Sequence, residues 1–138
     1  MRKQVMLTAF VVLVATGVAA TTASAQKVHA PKQIWQAMLA GTSDIQDMTA
    51  ALMVFDMQRI ETTANELAGR EEFISTIEEL PDAVKEGHAK VAEAAKGVMV
   101  AAASGEEQEV ATAIGEVVSA CTACHYELRD KERREKMQ

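Results

Sequence analysis

The chain has 138 residues, of which 49% are hydrophobic and 4% aromatic, and its formal net charge is −6. This length fits a single domain, and the negative charge argues against nucleic acid and anionic membranes as partners. Because aromatic side chains are so few, the core must be built from Ala, Val, Leu, Ile and Met, a composition typical of helix bundles. Such a small, Ala-rich core buries little apolar area, and a large apolar cofactor would compensate for this.

Residues 1–25 have the layout of a secretory signal peptide. A basic pair follows the first Met, an uncharged apolar run extends from Val5 to Ala20, and Ala23 to Ala25 supply the small residues that a signal peptidase requires. The run is shorter than the roughly 20 apolar residues of a membrane span, although an uncleaved N-terminal anchor is the alternative. We therefore predict that residues 26–138 form the mature domain, exported to the periplasm and without a membrane span after cleavage.

Two helices are predicted in the first half of the mature domain. Pro31 suits a first helical turn because it lacks an N–H, and the first helix is predicted from there to about Met53. The second is predicted from about Asp56 to Ala68, with Gly69 as its C-terminal stop, followed by a connector over 71–80. The apolar faces of the first helix consist of Ile34, Trp35, Met38 and Leu39, then Ile45, Met48, Leu52 and Phe55.

A third helix is predicted from Pro81 to about Ala103. One of its faces repeats apolar residues at helical spacing and includes a single histidine, His88. The full predicted buried face is Val84, His88, Val91, Ala95 and Val98.

The fourth helix is predicted to begin at Ser104 and Glu107, which match the S-x-x-E capping box. The tail over 129–136 is almost entirely charged and is expected to be solvated or frayed. Four helices with short connections predict an all-α fold, an antiparallel four-helix bundle. The apolar face of this last helix consists of Val110, Ile114, Val117, Cys121, Cys124 and Leu128.

The chemistry is expected at Cys121-Thr122-Ala123-Cys124-His125, because C-x-x-C-H is the attachment sequence of c-type haem. Two cysteines three apart on a helix point to the same side, so each can form a thioether with one haem vinyl group. His125 can then bind the iron as proximal ligand. We predict one covalent haem c in a C-terminal haem-attachment helix.

Other uses of this motif fit the sequence less well. A disulfide between Cys121 and Cys124 is compatible with an exported protein, but closing it within one helix would cause strain and leave His125 unexplained. A thioredoxin-like pair requires a βαβ setting, and a structural zinc site requires four ligands. Neither a strand pattern nor a second Cys/His pair is present.

The C-terminal motif resembles class II cytochromes c, the cytochrome c′ and cytochrome c-556 family. The resemblance rests on Cys121-x-x-Cys124-His125-x-x-x-Arg129 at the end of a predicted four-helix chain. It implies a mono-haem four-helix bundle that often forms homodimers, with Arg129 beside the haem on its proximal side. A solvated charge in a charged tail is the alternative for Arg129.

The resemblance also places two residues of the first helix near the distal face of the haem. Phe55-Asp56 resembles the family's aromatic-Asp start of helix two, and counting back without gaps puts Trp35 at the distal position. Tryptophan cannot bind iron, but it can cover the site. Met38 lies three residues further on the same face, and a small shift in register would bring its sulfur to the iron.

Histidines are the remaining candidate ligands. His88 lies on the apolar face of helix three, where a hydrogen-bonded core histidine is the alternative reading. His29 precedes helix one. The family's Arg-Gln pair in helix one is matched here only by Lys32-Gln33.

Three functions follow as hypotheses, and none of them is an enzymatic activity. The first is electron transfer, with His125 and Met38 as iron ligands and with redox partner proteins that carry basic patches. The second is binding of nitric oxide or carbon monoxide by five-coordinate iron, with Trp35 covering the open face. The third is a haem-free helical interaction module.

Overall fold

The computed structural model describes residues 32–138, and these form four helices and no strand. The predicted signal peptide at 1–25 and the predicted candidate His29 lie outside the described residues. The helices are α1 (Lys32–Met53), α2 (Met57–Ser75), α3 (Asp82–Ser104) and α4 (Glu107–Lys136). The predicted all-α four-helix bundle is therefore confirmed.

Each helix packs against the helices next to it in the chain, and α4 closes the ring by returning to α1. The connections are short, at residues 54–56, 76–81 and 105–106. Helices joined by such short connections pack antiparallel. The contact between α1 and α4 is the least extensive of the four, so these two helices leave room between them.

The main core lies toward the end of the bundle that carries the α1–α2 and α3–α4 turns. Alanines contribute much of it, which allows the helices to approach closely. A smaller apolar cluster of Ile34, Ala37, Ile74 and Leu80 lies toward the other end. The largest fully buried side chains are Met48, Ile60, Leu67, Val98, Val110 and Val117.

The predicted end of the second helix at Gly69 is wrong, because α2 continues to Ser75. Glu71 and Ile74 extend the buried stripe of this helix beyond the glycine, while Gly69 itself lies on the exposed side. The contact of this stripe with α3 outweighs the cost of about 1 kcal/mol for glycine in a helix interior.

The predicted capping box of the fourth helix does not form. Ser104 is instead the last residue of α3, and its Oγ donates a hydrogen bond to the carbonyl of Ala101 at 2.7 Å. Gly105 has a φ of 77°, the left-handed conformation with which glycine commonly ends a helix. Glu106 is then the N-cap of α4 and makes no side-chain capping bond.

Three residues predicted on the apolar face of the first helix are exposed. Trp35 is 58%, Leu39 is 54% and Phe55 is 63% accessible to solvent. Phe55 lies in the α1–α2 turn with a φ of 59°. Asp56 follows and caps α2 by accepting a hydrogen bond from the backbone N–H of Arg59 at 3.1 Å.

The charged tail continues as the last turns of α4, with exposed side chains. None of the helices within residues 32–138 combines the length and apolar character needed to cross a membrane.

Candidate functional site

A cavity opens between the smaller apolar cluster and the main core, and all four helices contribute to it. Its volume is about 180 Å³, and the empty space including its open mouth is about 810 Å³. One buried water needs only roughly 10–15 Å³ measured in this way, so the cavity can admit a much larger group. Its lining consists of Ile34, Met38, Gly41, Thr42, Ile45, Leu67, Glu71, Val84, Gly87, His88, Val91, Cys121, Cys124, His125 and Leu128.

The three residues of the C-x-x-C-H motif all line this cavity from α4. Cys121 and Cys124 are half-buried and both carry free thiols. His125 is exposed at the rim, and Leu128, one turn after Cys124, continues the same wall. The motif therefore presents two sulfurs and one imidazole to a single apolar space.

Gly87 on α3 lies directly against Cys124 on α4. A Cβ atom built on Gly87 would lie 2.5 Å from the Sγ of Cys124 and 3.1 Å from its Cβ. Real side chains do not tolerate the first of these separations. The absence of a side chain at position 87 therefore allows the sulfur of Cys124 to lie against the backbone of α3.

Burial in this apolar wall raises the pKa of both thiols. For Cys121 the main cause is desolvation, followed by the negative charge of Glu71 and the neighbouring Cys124. For Cys124 the main cause is again desolvation, followed by Glu127, while Lys90 acts in the opposite direction. Both sulfurs are thus held as neutral thiols at neutral pH, and neither is an activated nucleophile of the kind found in cysteine enzymes.

A buried polar pair forms part of the cavity wall that α2 and α3 contribute. The Nδ1 of His88 on α3 is hydrogen-bonded to the Oε2 of Glu71 on α2, and both residues are more than nine-tenths buried. The Nε of Arg70 lies 3.8 Å from the Oε1 of Glu71, and the same guanidinium forms an ion pair with Asp44 on α1. These four residues link the cavity wall to the surface across three helices.

This pair was only half predicted. The apolar repeat of helix three correctly predicts His88 in a buried face, but the predicted connector over 71–80 is wrong for Glu71, which lies within α2. The missed signal is the spacing of Leu67, Glu71 and Ile74, which continues the stripe of Ile60 at helical intervals. Ligation of iron by His88 stays a prediction.

The two distal candidates on α1 lie in different surroundings. Met38 lines the cavity, is half-buried and packs against the smaller apolar cluster. Its carbonyl accepts a hydrogen bond from the hydroxyl of Thr42 at 3.1 Å. Trp35 is exposed and does not line the cavity. The structure therefore brings Met38, but not Trp35, to the cavity that His125 and the two cysteines line from α4.

Arg129 lies one turn after His125 on the exposed side of α4. Its Nε donates a hydrogen bond to the carbonyl of His125 at 3.3 Å. It does not line the cavity. The side chain is thus tied to the backbone of the motif, at the rim rather than inside.

Within residues 32–138, no group of three or more His, Cys, Asp or Glu side chains is arranged to hold a metal ion by itself. Comparison with protein-family models, with curated proteins and with solved structures finds no match for this chain. The functional argument therefore depends on the arrangement of residues in the cavity.

Proposed function

We propose that the protein is a periplasmic mono-haem c-type cytochrome that transfers electrons, and that it belongs with the class II cytochromes c. The observation that carries this proposal is the convergence of Cys121, Cys124 and His125 on one apolar cavity. A C-x-x-C-H sequence on an exposed face, or in a fully packed helix, would have no space in which to receive a macrocycle.

The residues present fit a covalently bound haem. Both cysteines are free thiols on the cavity wall, as thioether formation requires. Each sulfur would bond to a vinyl carbon while the thiol hydrogen moves to the other vinyl carbon, so no electron is gained or lost. The rest of the wall is largely apolar, which suits a wide apolar plate, and Gly87 leaves space beside Cys124.

His125 would supply the proximal nitrogen to the iron, and Met38 is the candidate sulfur ligand from α1. When bound, the haem would supply one-electron exchange between Fe(III) and Fe(II). The chain's own contribution is to orient these side chains and to exclude water. Arg129 would hold the backbone of His125 through its hydrogen bond to that carbonyl.

The net charge of −6 supports a role with basic partners. Opposite charge increases the rate of encounter between two redox proteins, and added salt screens this attraction. We therefore expect electron exchange with a basic partner to slow as ionic strength rises.

One observation favours a second candidate function, the binding of nitric oxide or carbon monoxide by five-coordinate iron. The side chain of Met38 packs against the smaller apolar cluster of Ile34, Ala37, Ile74 and Leu80. A methionine engaged in this packing would leave the distal position open and lined by apolar side chains. Trp35 does not contribute to that lining, so Ile34 and Ile45 would cover the open distal position instead.

The test is expression of the full chain with its N-terminal segment in a host competent for cytochrome maturation. We expect the mass of the purified protein to exceed that of its amino acids by one haem, and its Soret band to survive denaturation. Replacement of both Cys121 and Cys124 by Ala should remove both signals, while Thr122→Ala, an exposed change between them, should leave them intact. A chain with the mass of its amino acids alone would refute the proposal.

The same purified protein distinguishes the two candidate functions. A sharp reduced α-band together with a near-infrared Met–iron charge-transfer band would support electron transfer. A broad high-spin spectrum that changes with carbon monoxide would support gas binding.

A further inference from the structure

We propose that Gly87 is the positioning residue for the second thioether, the one at Cys124. The inference rests on the proposed function, since it concerns the bond between this sulfur and the haem. By lacking a side chain, Gly87 lets the sulfur lie against the backbone of α3, and a side chain at this position would impair attachment at Cys124 selectively.

Gly87 is distinctive among the glycines that the structure describes. A Cβ on Gly69, Gly97 or Gly115 would have no atom of another element within 4 Å, and a Cβ on Gly41 would make only ordinary contacts. At Gly87 the same atom would lie 2.5 Å from the sulfur of Cys124. Glycine is disfavoured in a helix interior relative to alanine. The specific function of this glycine is therefore the space it leaves for Cys124.

The effect is confined to one of the two sulfurs. Among the contacts of a Cβ at position 87, the nearest atoms both belong to Cys124, whereas Cys121 lies one turn earlier on α4 and packs against the main core. An added methyl group would displace the sulfur of Cys124 or separate α3 from α4 at this point. No atom of Cys121 lies within 4 Å of a Cβ at position 87, so the direct steric effect falls on Cys124.

The attachment step itself needs no further reactant besides haem and thiol. The Sγ–H bond of Cys124 breaks, a bond forms between Sγ and one vinyl carbon, and the hydrogen goes to the other vinyl carbon. The formation of this thioether consumes neither an oxidant nor a reductant. Misplacement of Sγ would therefore leave a free thiol and an intact vinyl group, and both are measurable.

The test is Gly87→Ala, with Gly97→Ala as the matched control on the same helix. In the maturation-competent host, the wild-type chain and Gly97→Ala should carry haem through two thioethers and take up no alkylating reagent after denaturation. Gly87→Ala should carry haem through Cys121 alone, with one alkylated cysteine at position 124. Its alkaline pyridine spectrum should shift to longer wavelength, because one vinyl group stays conjugated with the ring. Two intact thioethers in Gly87→Ala would overturn the proposal.

A second measurement separates this inference from the proposed function. In haem-free full-length protein, iodoacetamide should alkylate Cys124 several-fold faster in Gly87→Ala than in wild type, relative to Cys121 in the same chain. An unchanged ratio would contradict the proposed contact, whether or not the wild-type chain accepts haem.

If Gly87→Ala lowers the yield of folded protein, adding Cys124→Ala should restore part of it, since removing the sulfur relieves the closest contact. Failure of this rescue would also count against the proposal.

Discussion

The carboxylate of Glu71 and the imidazole of His88 form a hydrogen-bonded pair across α2 and α3, inside the wall of the cavity that contains Cys121 and Cys124. Both side chains are at most 10% exposed. A buried polar side chain loses its hydrogen bonds to water, and burial is tolerated only when a protein group replaces them. Glu71 and His88 supply this hydrogen bond to each other.

Breaking this pair should destabilise the bundle strongly. We expect Glu71→Ala or His88→Ala to lower the free energy of unfolding by about 3–5 kcal/mol, because either change leaves the other partner buried and unpaired. Urea unfolding followed by circular dichroism measures this. Replacing both residues by Leu should be less damaging than either single change. A double Ala variant of Glu71 and His88 that is as unstable as the sum of the two single Ala variants would show that the residues are not coupled.

Replacing Met38 tests the distal side of the proposed haem site. If Met38 binds the iron, Met38→Ala should convert a low-spin spectrum into a high-spin one that responds to carbon monoxide. Met53→Ala is the matched control, because Met53 is on the same helix, 69% exposed and outside the cavity. An unchanged low-spin spectrum in Met38→Ala would remove this residue from the mechanism.

Replacement of the other glycines by alanine should change the free energy of unfolding according to their position. Gly97→Ala and Gly69→Ala are each expected to raise the free energy of unfolding by about 0.5–1 kcal/mol, since alanine loses less backbone entropy in a helix. At either site the added Cβ meets no atom of another helix within 4 Å. Gly105→Ala should be destabilising because its φ of 77° is strained for alanine. Chemical denaturation of the purified variants measures all three. Loss of stability in Gly97→Ala would indicate a close contact on that face of α3.

The reactivity of the cysteines in the haem-free protein should depend on pH in a defined way. Burial and, for Cys121, the charge of Glu71 raise the thiol pKa, so less thiolate is present at a given pH than in the unfolded chain. Alkylation should therefore reach half of its maximal rate at a higher pH in the folded protein than in denaturant. Glu71→Gln should shift the midpoint of Cys121 downward without a similar shift for Cys124. Identical profiles in folded and unfolded protein would contradict this.

Acid should weaken the contact between α1 and α2. The hydrogen bond from Arg59 holds the pKa of Asp47 below its ordinary value of 3.8, with one bond of 2.9 Å between the Arg59 Nε and the Asp47 Oδ2. A lowered folded-state pKa contributes stability above the ordinary value, and this contribution is lost as the pH falls through the folded value. Asp47→Asn should thus cost stability at pH 7, and this cost should shrink as the pH falls below the ordinary value of 3.8. Thermal unfolding across this pH range measures the difference, and a cost that does not change with pH would rule out the ionic contribution.

The sequence alone was sufficient to predict four helices and to locate the C-x-x-C-H motif in the last of them. The repeat of Val84, Val91, Ala95 and Val98 predicted a buried face of α3, and all but the half-buried Val84 are buried. The C-terminal C-x-x-C-H and the apolar residues before it predicted that the cysteines share a face, and both line one cavity. These features are encoded by residues within one or two helical turns of each other, so the period of a single helix is sufficient to detect them.

Other features depend on partners that are distant in sequence. Ser104 and Glu107 satisfy the pattern of a capping box, yet the left-handed conformation of Gly105 ends α3 between them. Trp35 matches an apolar repeat on α1, yet the rotation of that helix leaves it exposed. A local sequence pattern indicates which structures a segment can form. Packing against neighbouring helices determines which of them it adopts.

By itself, then, the sequence determined an all-α chain and the one place where it carries two thiols and a histidine at haem-attachment spacing. Only the tertiary structure decided that Gly87 faces Cys124, that Glu71 pairs with His88, and that Met38 rather than Trp35 reaches the cavity. The physical reason is that each of these contacts joins different helices. Their formation depends on how each helix is rotated about its axis and how far it is shifted along the bundle. The spacing of apolar residues within one helix determines neither the rotation nor the shift.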